Sequence, residues 1–136
     1  MRRKITFLFF CLLTLSVTFF SLLGKAIRDY YSPHVEVMAP ISYLFPDGSI
    51  TMAALVNSCF IVEENGKTYA FLIEERSDSG ESAYYTKKIE LILGQSDDRY
   101  SEVKKAPILN ALFICNTNQD LVDGERVVLH KIVNMP

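Results

Sequence analysis

Residues 56–75, VNSCFIVEENGKTYAFLIEE, are the stretch of the chain that most directly decides its fold. An apolar run from Cys59 to Val62 leads into Asn65-Gly66, and alternation of apolar and polar residues resumes at Tyr69. Asn-Gly between two such runs is a strong hairpin signal, because a type I′ turn needs positive φ at both of its central residues. The stretch therefore predicts a β-hairpin with a type I′ turn.

The chain beyond this hairpin also reads as strands. Residues 83–93 are the longest candidate, and their alternation predicts a half-buried strand with one mostly apolar and one mostly polar face. Shorter strand candidates lie at residues 34–38, 50–55, 100–103, 112–115, 127–129 and 132–133. Turn residues predict loops at 40–48 and 76–82 and a turn at Asp123-Gly124. The pattern predicts a mainly β fold, with a small antiparallel β-barrel-like domain after the N-terminal segment.

The N-terminal segment has the features of a membrane anchor. Three basic residues precede an uncharged run that begins at Ile5 and ends at Leu23. As a transmembrane helix this run would reach about 28 Å, close to the ~30 Å hydrocarbon core of a bilayer. The preceding basic residues favour a cytoplasmic N-terminus. We expect residues 1–32 to be an uncleaved signal anchor in the cell membrane and residues 33–136 to form an extracytoplasmic domain. The alternative is a cleaved secretory signal, whose apolar region is usually shorter, about 7–15 residues.

Composition and motifs argue against several classes of function. The formal net charge of −2 gives no basic footprint for a nucleic acid. His34 and His130 lie far apart in the sequence, and neither is flanked by a nucleophile or metal-ligand pattern. Phosphate-binding, dinucleotide-binding, serine-hydrolase and zinc-protease motifs do not occur. The sequence predicts no enzymatic activity, no cofactor and no metal site.

The three cysteines form no CxxC pair. Cys11 lies in the uncharged N-terminal run, whereas Cys59 and Cys115 lie in strand-like apolar stretches. Cys59 and Cys115 would form a disulfide in an oxidising compartment, or stay reduced as small buried hydrophobic residues. The reduced state is the favoured prediction, although spacing alone does not decide between the two.

Several stretches together resemble a known family. They are residues 56–71 (VNSCFIVEENGKTYAF), 73–76 (IEER), 85–91 (YTKKIEL), 97–100 (DDRY) and 121–129 (LVDGERVVL). In this order they resemble the membrane-proximal β domain of periplasmic adaptor subunits, the membrane fusion proteins of resistance-nodulation-division (RND) and ABC efflux systems. Asn57 stands where the family pattern has proline. The family's central β-barrel, lipoyl-like domain and α-helical hairpin have no counterpart in the sequence, so the resemblance implies a reduced adaptor that keeps only the N-terminal anchor and the membrane-proximal β domain.

This resemblance implies a non-catalytic, membrane-anchored protein that docks on or modulates an RND or ABC transporter permease. The candidate partner-contact residues are Phe60, Tyr69, Phe71, Tyr84 and Tyr85, although aromatic residues at strand spacing more often belong to a core. One alternative is a stand-alone envelope structural protein, or a remnant of a larger adaptor, with no transporter partner. Another is a ligand-binding β-barrel module, which would need an apolar cavity.

Overall fold

The computed structural model describes residues 2–78, 80–105 and 110–133. The chain divides into two compact units, one that ends at Ser32 and one that begins at Pro33. The first unit is the helix α1 (Arg2–Tyr31). The second contains β1 (His34–Met38), β2 (Ile41–Leu44), β3 (Ile50–Val56), a 3-10 turn (Asn57–Cys59), β4 (Ile61–Val62), β5 (Thr68–Asp78), β6 (Glu81–Ser96), β7 (Tyr100–Lys105), β8 (Phe113–Thr117) and β9 (Arg126–Ile132).

Helix α1 is apolar along most of its length and ends before Pro33, as the sequence predicts. Its hydroxyl side chains donate back to carbonyl oxygens in the same helix, for example Thr14 Oγ1 to Phe10 O at 3.0 Å and Thr18 Oγ1 to Thr14 O at 2.9 Å. Polar groups are thereby satisfied within the segment, which is what a lipid environment requires. By length and composition α1 is able to span a membrane, although an N-terminal signal sequence passes the same test.

Five strands of the second unit close into a barrel in the order β6-β9-β1-β8-β5, with β5 pairing back to β6. Strand β1 pairs antiparallel with β8 and parallel with β9, and the other neighbours in the ring are antiparallel. The predicted mainly β fold, an N-terminal helix followed by a small barrel, is confirmed. The parallel pair of β1 and β9 is an addition to that prediction.

Strand β6 is 16 residues long because it belongs to two sheets. Its first part pairs with β5 and β9, and from Ile92 onward it pairs with β7. Strand β7 then continues through β3 to β2, which completes an antiparallel sheet in the order β2-β3-β7-β6. Strand β2 lies inside the segment predicted to be a loop. It occupies the edge of its sheet between Pro40 and Pro46, and prolines near a short edge strand conceal its pattern.

The barrel wall is covered on both faces in places, which produces two apolar cores. The barrel interior is filled by residues from β1, β5, β8 and β9, namely Val35, Val37, Phe71, Ile114 and Val127. The second core joins the other face of the wall to β3 and β7 through Met38, Leu55, Cys59, Ala70, Leu72, Leu91, Val103, Ala111 and Phe113. Neighbouring residues of β5 therefore enter different cores, which explains its continuous apolar run at residues 70–73.

The same arrangement corrects the prediction of one apolar and one polar face for β6. Thr86 is fully buried, although it lies on the face predicted to be polar, and Leu91 on the opposite face is 4% exposed. Lys87, on the face predicted to be apolar, is exposed. The prediction assumed that one face of the strand meets solvent throughout, whereas β6 passes from a barrel wall into a second sheet.

The Asn65-Gly66 hairpin is present, but its turn differs from the predicted type I′. Val62 pairs with Thr68, the Glu63 N–H donates to Lys67 O at 3.0 Å, and the Gly66 N–H donates to Glu63 O at 2.9 Å. Gly66 has a φ of 77°. This is a three-residue connection, a type I turn followed by a left-handed glycine in a bulge. The first strand of the hairpin is only the two residues of β4.

A buried threonine latches the Asp123-Gly124 turn onto β6. Thr86 Oγ1 donates to Val122 O at 2.5 Å and accepts the Glu125 N–H at 3.0 Å. The backbone of Thr86 adds two more bonds, from its N–H to Glu125 O at 2.8 Å and from the Gly124 N–H to its carbonyl at 2.9 Å. Gly124 has a φ of 78°, which confirms the predicted turn. The latch fixes the chain where β9 begins to pair with β6.

Candidate functional site

The hairpin of β5 and β6 continues beyond the barrel as a two-stranded arm, which we define as residues 74–78 and 81–85. The strands pair in one register that reaches Asp78 and Glu81. Strand β9 pairs only with Tyr84 and Tyr85 of the arm, and the rest of the described arm has no third strand beside it. The prediction of a polar loop at residues 76–82 is therefore wrong. Continuous cross-strand pairing overrides its loop-like composition, and Gly80, with a φ of 82°, lies in the connection.

One face of the arm carries an ordered group of charged and aromatic side chains. Glu74 accepts from Lys87 Nζ at 2.8 Å and from Arg76 Nη2 at 3.0 Å, one bond to each carboxylate oxygen. The guanidinium carbon of Arg76 lies 5.1 Å from the centre of the Tyr85 ring, which is within cation–π range. Glu74 and Tyr85 are register partners and share a face of the sheet. We call Glu74, Arg76, Tyr85 and Lys87 the arm cluster.

The electrostatics of the arm cluster centre on Glu74. The hydrogen bond from Lys87, followed by the one from Arg76, holds the pKa of the Glu74 carboxyl below its ordinary value. About half of the Arg76 and Lys87 side chains and about a third of the Glu74 side chain are exposed to solvent, so these ion pairs add little to the stability of the fold. What they do is orient Arg76 over Tyr85 on the surface. Arginine and tyrosine are among the residues that contribute most to binding in protein interfaces.

Three of the predicted contact residues lie on the opposite face of the hairpin. Phe71 is 6% exposed in the barrel interior, and Tyr84 packs half-buried against the same core. Tyr69 is half-buried with the Lys88 ammonium 4.5 Å from its ring centre, and Lys88 also forms an ion pair with Glu63. Phe71 has almost no surface to offer a partner, so we remove it from the candidate set.

The five predicted contact residues do not form one surface. Phe60 follows the 3-10 turn and packs half-buried against the second core, away from the residues of the barrel interior. Of the five, Tyr85 is the residue that belongs to the arm cluster. The other members of that cluster, Glu74, Arg76 and Lys87, are not among the predicted residues. The sequence shows that these residues recur at every second position on each of two strands. Only the pairing register between the two strands places them side by side.

The structure also brings together the two histidines that are far apart in the sequence. His34 on β1 and His130 on β9 line one cleft of about 340 Å³ with Glu36, Asn116, Thr117 and Asn118. Asn118 Oδ1 accepts the backbone N–H of His34 at 2.8 Å, and Asn116 Nδ2 donates to Glu36 Oε2 at 3.1 Å. Among the described residues no group of three or more His, Cys, Asp or Glu side chains is placed to hold a metal ion. The cleft is a polar surface feature created by the parallel pairing of β1 and β9.

Cys59 and Cys115 are free thiols that come together in the second core. Cys59 is 3% exposed and belongs to that core, and the half-buried Cys115 packs against it. Cys59 is buried as predicted, whereas Cys115 is only half-buried, and the reduced state itself stays a prediction. The structure also places both cysteines at one cleft beside the same core, which the sequence alone does not indicate.

Comparison of the chain with protein-family models, with curated proteins and with solved structures finds no match. The resemblance to adaptor subunits accordingly stays a prediction that rests on the quoted residues. Asn57, which departs from the proline of the family pattern, has a structural role here. The Asn57 N–H donates to Arg99 O at 2.9 Å, its Nδ2 donates to Asp97 O at 2.8 Å, and its Oδ1 accepts from Ser101 Oγ at 2.7 Å. Proline at this position would provide none of the three bonds.

Proposed function

We propose that this chain is a membrane-anchored, non-enzymatic β module that binds a partner protein through the arm cluster. The observation that carries the proposal is the oriented pair of Arg76 and Tyr85 on a two-stranded arm, held in place by Glu74 and Lys87. A pre-oriented aromatic and guanidinium pair loses little side-chain entropy when it binds. The arm therefore offers a ready contact surface.

In this proposal the partner is an integral membrane transporter, and an RND or ABC permease is the class that the resemblance suggests. The anchor is uncleaved, the N-terminus is cytoplasmic, and the β domain is extracytoplasmic. The length and composition of α1 support this placement, because an anchored domain stays at the surface where such a partner is found. The ligand-binding alternative is less well supported, because core side chains fill the barrel interior.

Site-specific photo-crosslinking in native membranes tests this proposal. A photoreactive amino acid replaces Tyr85 in the tagged full-length chain. The matched control carries it at Met52, which is 80% exposed on β3 and distant in register from the arm. We expect crosslinks from position 85 to a polytopic transport protein, identified by mass spectrometry, and none to that protein from position 52.

A second experiment measures how much the arm cluster contributes. Replacing a binding hot spot typically costs about 2 kcal/mol or more, which corresponds to a loss of at least ~30-fold in affinity. In a chemical-crosslinking pull-down of the tagged chain without the photoreactive residue, we expect Arg76→Ala and Tyr85→Ser each to lower recovery of the partner by about that factor, while the protein remains folded and in the membrane. Membrane-localised protein that yields no transporter from position 85 would overturn the proposal in favour of a stand-alone envelope protein.

A further inference from the structure

Cys59 and Cys115 come from parts of the chain that are distant in sequence and meet at one point in the fold. Cys59 ends the 3-10 turn that leads from β3 towards the Asn65-Gly66 hairpin, and Cys115 lies in the middle of β8. The 3-10 turn packs against β8, and both thiols line the same cleft. Both belong to the packing of the second core. The fold therefore holds two thiols side by side without a covalent link.

The two thiols differ in their access to solvent. Both line a cleft of about 270 Å³, together with Ser58, Ile61 and Asn116. Cys59 is 3% exposed, whereas Cys115 is half-buried. A small molecule that enters this cleft accordingly meets the sulfur of Cys115 before that of Cys59.

The proximity of the two cysteines also makes their thiols chemically unequal. The neighbouring Cys59 thiol lowers the pKa of Cys115 to about 7, and the neighbouring Cys115, together with burial, raises the pKa of Cys59. As a thiol, Cys115 donates to Glu36 O at 3.4 Å. The thiolate is the reactive form of cysteine, so the more accessible residue is also the better nucleophile near neutral pH.

We propose that Cys59 and Cys115 are a redox-active dithiol that closes reversibly into a disulfide, with Cys115 as the attacking and Cys59 as the resolving residue. The oxidant is a small-molecule disulfide. The Cys115 thiolate attacks one sulfur of that disulfide, forms a mixed disulfide and releases the first thiolate. Cys59 then loses its proton, attacks the sulfur of Cys115 and releases the second. Two electrons pass to the oxidant, which leaves as two thiols, and one intramolecular S–S bond forms.

The bond would tie the turn at the end of β3 to β8. This turn connects the second sheet to the β4–β5 hairpin, so oxidation would fasten the barrel to the sheet beside it. The thiols lie apart from the arm cluster, because Cys59 belongs to the 3-10 turn and Cys115 to β8, whereas the arm cluster lies on β5 and β6.

Oxidation of the full-length chain in detergent micelles tests the proposal. The experiment uses a Cys11→Ser background, so that Cys59 and Cys115 supply the only thiols. The protein is equilibrated with mixtures of reduced and oxidised glutathione, quenched with acid, alkylated and digested for mass spectrometry. We expect a linked Cys59–Cys115 peptide that increases with the oxidised fraction and disappears on treatment with dithiothreitol.

Single variants assign the two roles. In Cys59→Ser the glutathione adduct should persist on Cys115, and the pH midpoint for its alkylation should move from about 7 towards the ~8.5 of an ordinary thiol. In Cys115→Ser the thiol of Cys59 should react at least ~10-fold more slowly than Cys115 does in the parent, because it is buried. Circular dichroism establishes that each variant is folded. Folded parent protein that keeps both thiols free, or that stops at the adduct on Cys115, would overturn the inference.

Discussion

Replacing Thr86 with valine tests whether the buried latch holds the barrel closed. Valine has nearly the same shape as threonine, but it lacks the hydroxyl that donates to Val122 O and accepts the Glu125 N–H. The backbone bonds of residue 86 remain possible in the variant. The substitution therefore isolates the two side-chain hydrogen bonds of a side chain that is fully buried.

The expected loss follows from those two bonds. Each neutral hydrogen bond contributes about 1 kcal/mol, and a buried N–H left without an acceptor costs about 1–3 kcal/mol. The methyl group gained by valine offsets part of this, so we expect Thr86→Val to lower the free energy of unfolding by about 2 kcal/mol. Thr86→Ser keeps the hydroxyl and removes one methyl group, which is worth about 0.8 kcal/mol. Serine should therefore be the milder replacement.

Urea and thermal unfolding of the full-length chain in detergent, both followed by circular dichroism, measure the two variants. For a domain of this size, 2 kcal/mol corresponds to a decrease in Tm of about 8–16 °C, and the serine variant should lose about half as much. The slope of the urea transition should be unchanged if only native-state bonds are lost. If valine is tolerated as well as threonine, or better than serine, then the hydroxyl does not latch the turn and our account of barrel closure is incorrect.

Two further predictions follow from the burial and hydrogen bonding of single residues. Phe71→Ala should lower the free energy of unfolding in urea by about 3–5 kcal/mol, because it opens a cavity in the barrel interior. Tyr85→Ala should lower it by less than ~1 kcal/mol. The opposite order would contradict the assignment of the two residues to a buried and an exposed face. Hydrogen bonds from the Tyr100 N–H, then from the Arg99 N–H and the Tyr43 hydroxyl, lower the pKa of the Asp97 carboxyl. The stability that the Asp97 carboxylate contributes is therefore complete above the unfolded-state pKa of about 4. It is lost as the pH falls through the lower folded-state pKa. Asp97→Asn should therefore reduce the decline in the urea midpoint between about pH 5 and pH 2, and an acid profile identical to that of the parent would refute this.

The candidate site was predictable only in part, because burial and register decide which aromatic residues reach solvent. Sequence alternation correctly placed Tyr84 and Tyr85 on opposite faces of one strand, but it could not tell which face meets a core. The charged members of the arm cluster lie on two strands, so their proximity depends on a pairing register that continues through the segment expected to be a loop. Continuous pairing outweighed the loop-like composition of that segment.

Local sequence by itself determined the elements whose causes are local. An uncharged run before a proline specifies helix α1, and alternation between Asn-Gly and Asp-Gly turns specifies a mainly β domain. Tertiary structure alone decided the rest: the order of the strands around the barrel, the parallel pairing of β1 with β9, and the meeting of Cys59 with Cys115 and of His34 with His130. Each of these joins residues that are far apart along the chain. Their contacts depend on barrel strands that are buried on both faces, by the barrel interior on one side and by the second core on the other. No short stretch of sequence contains that information.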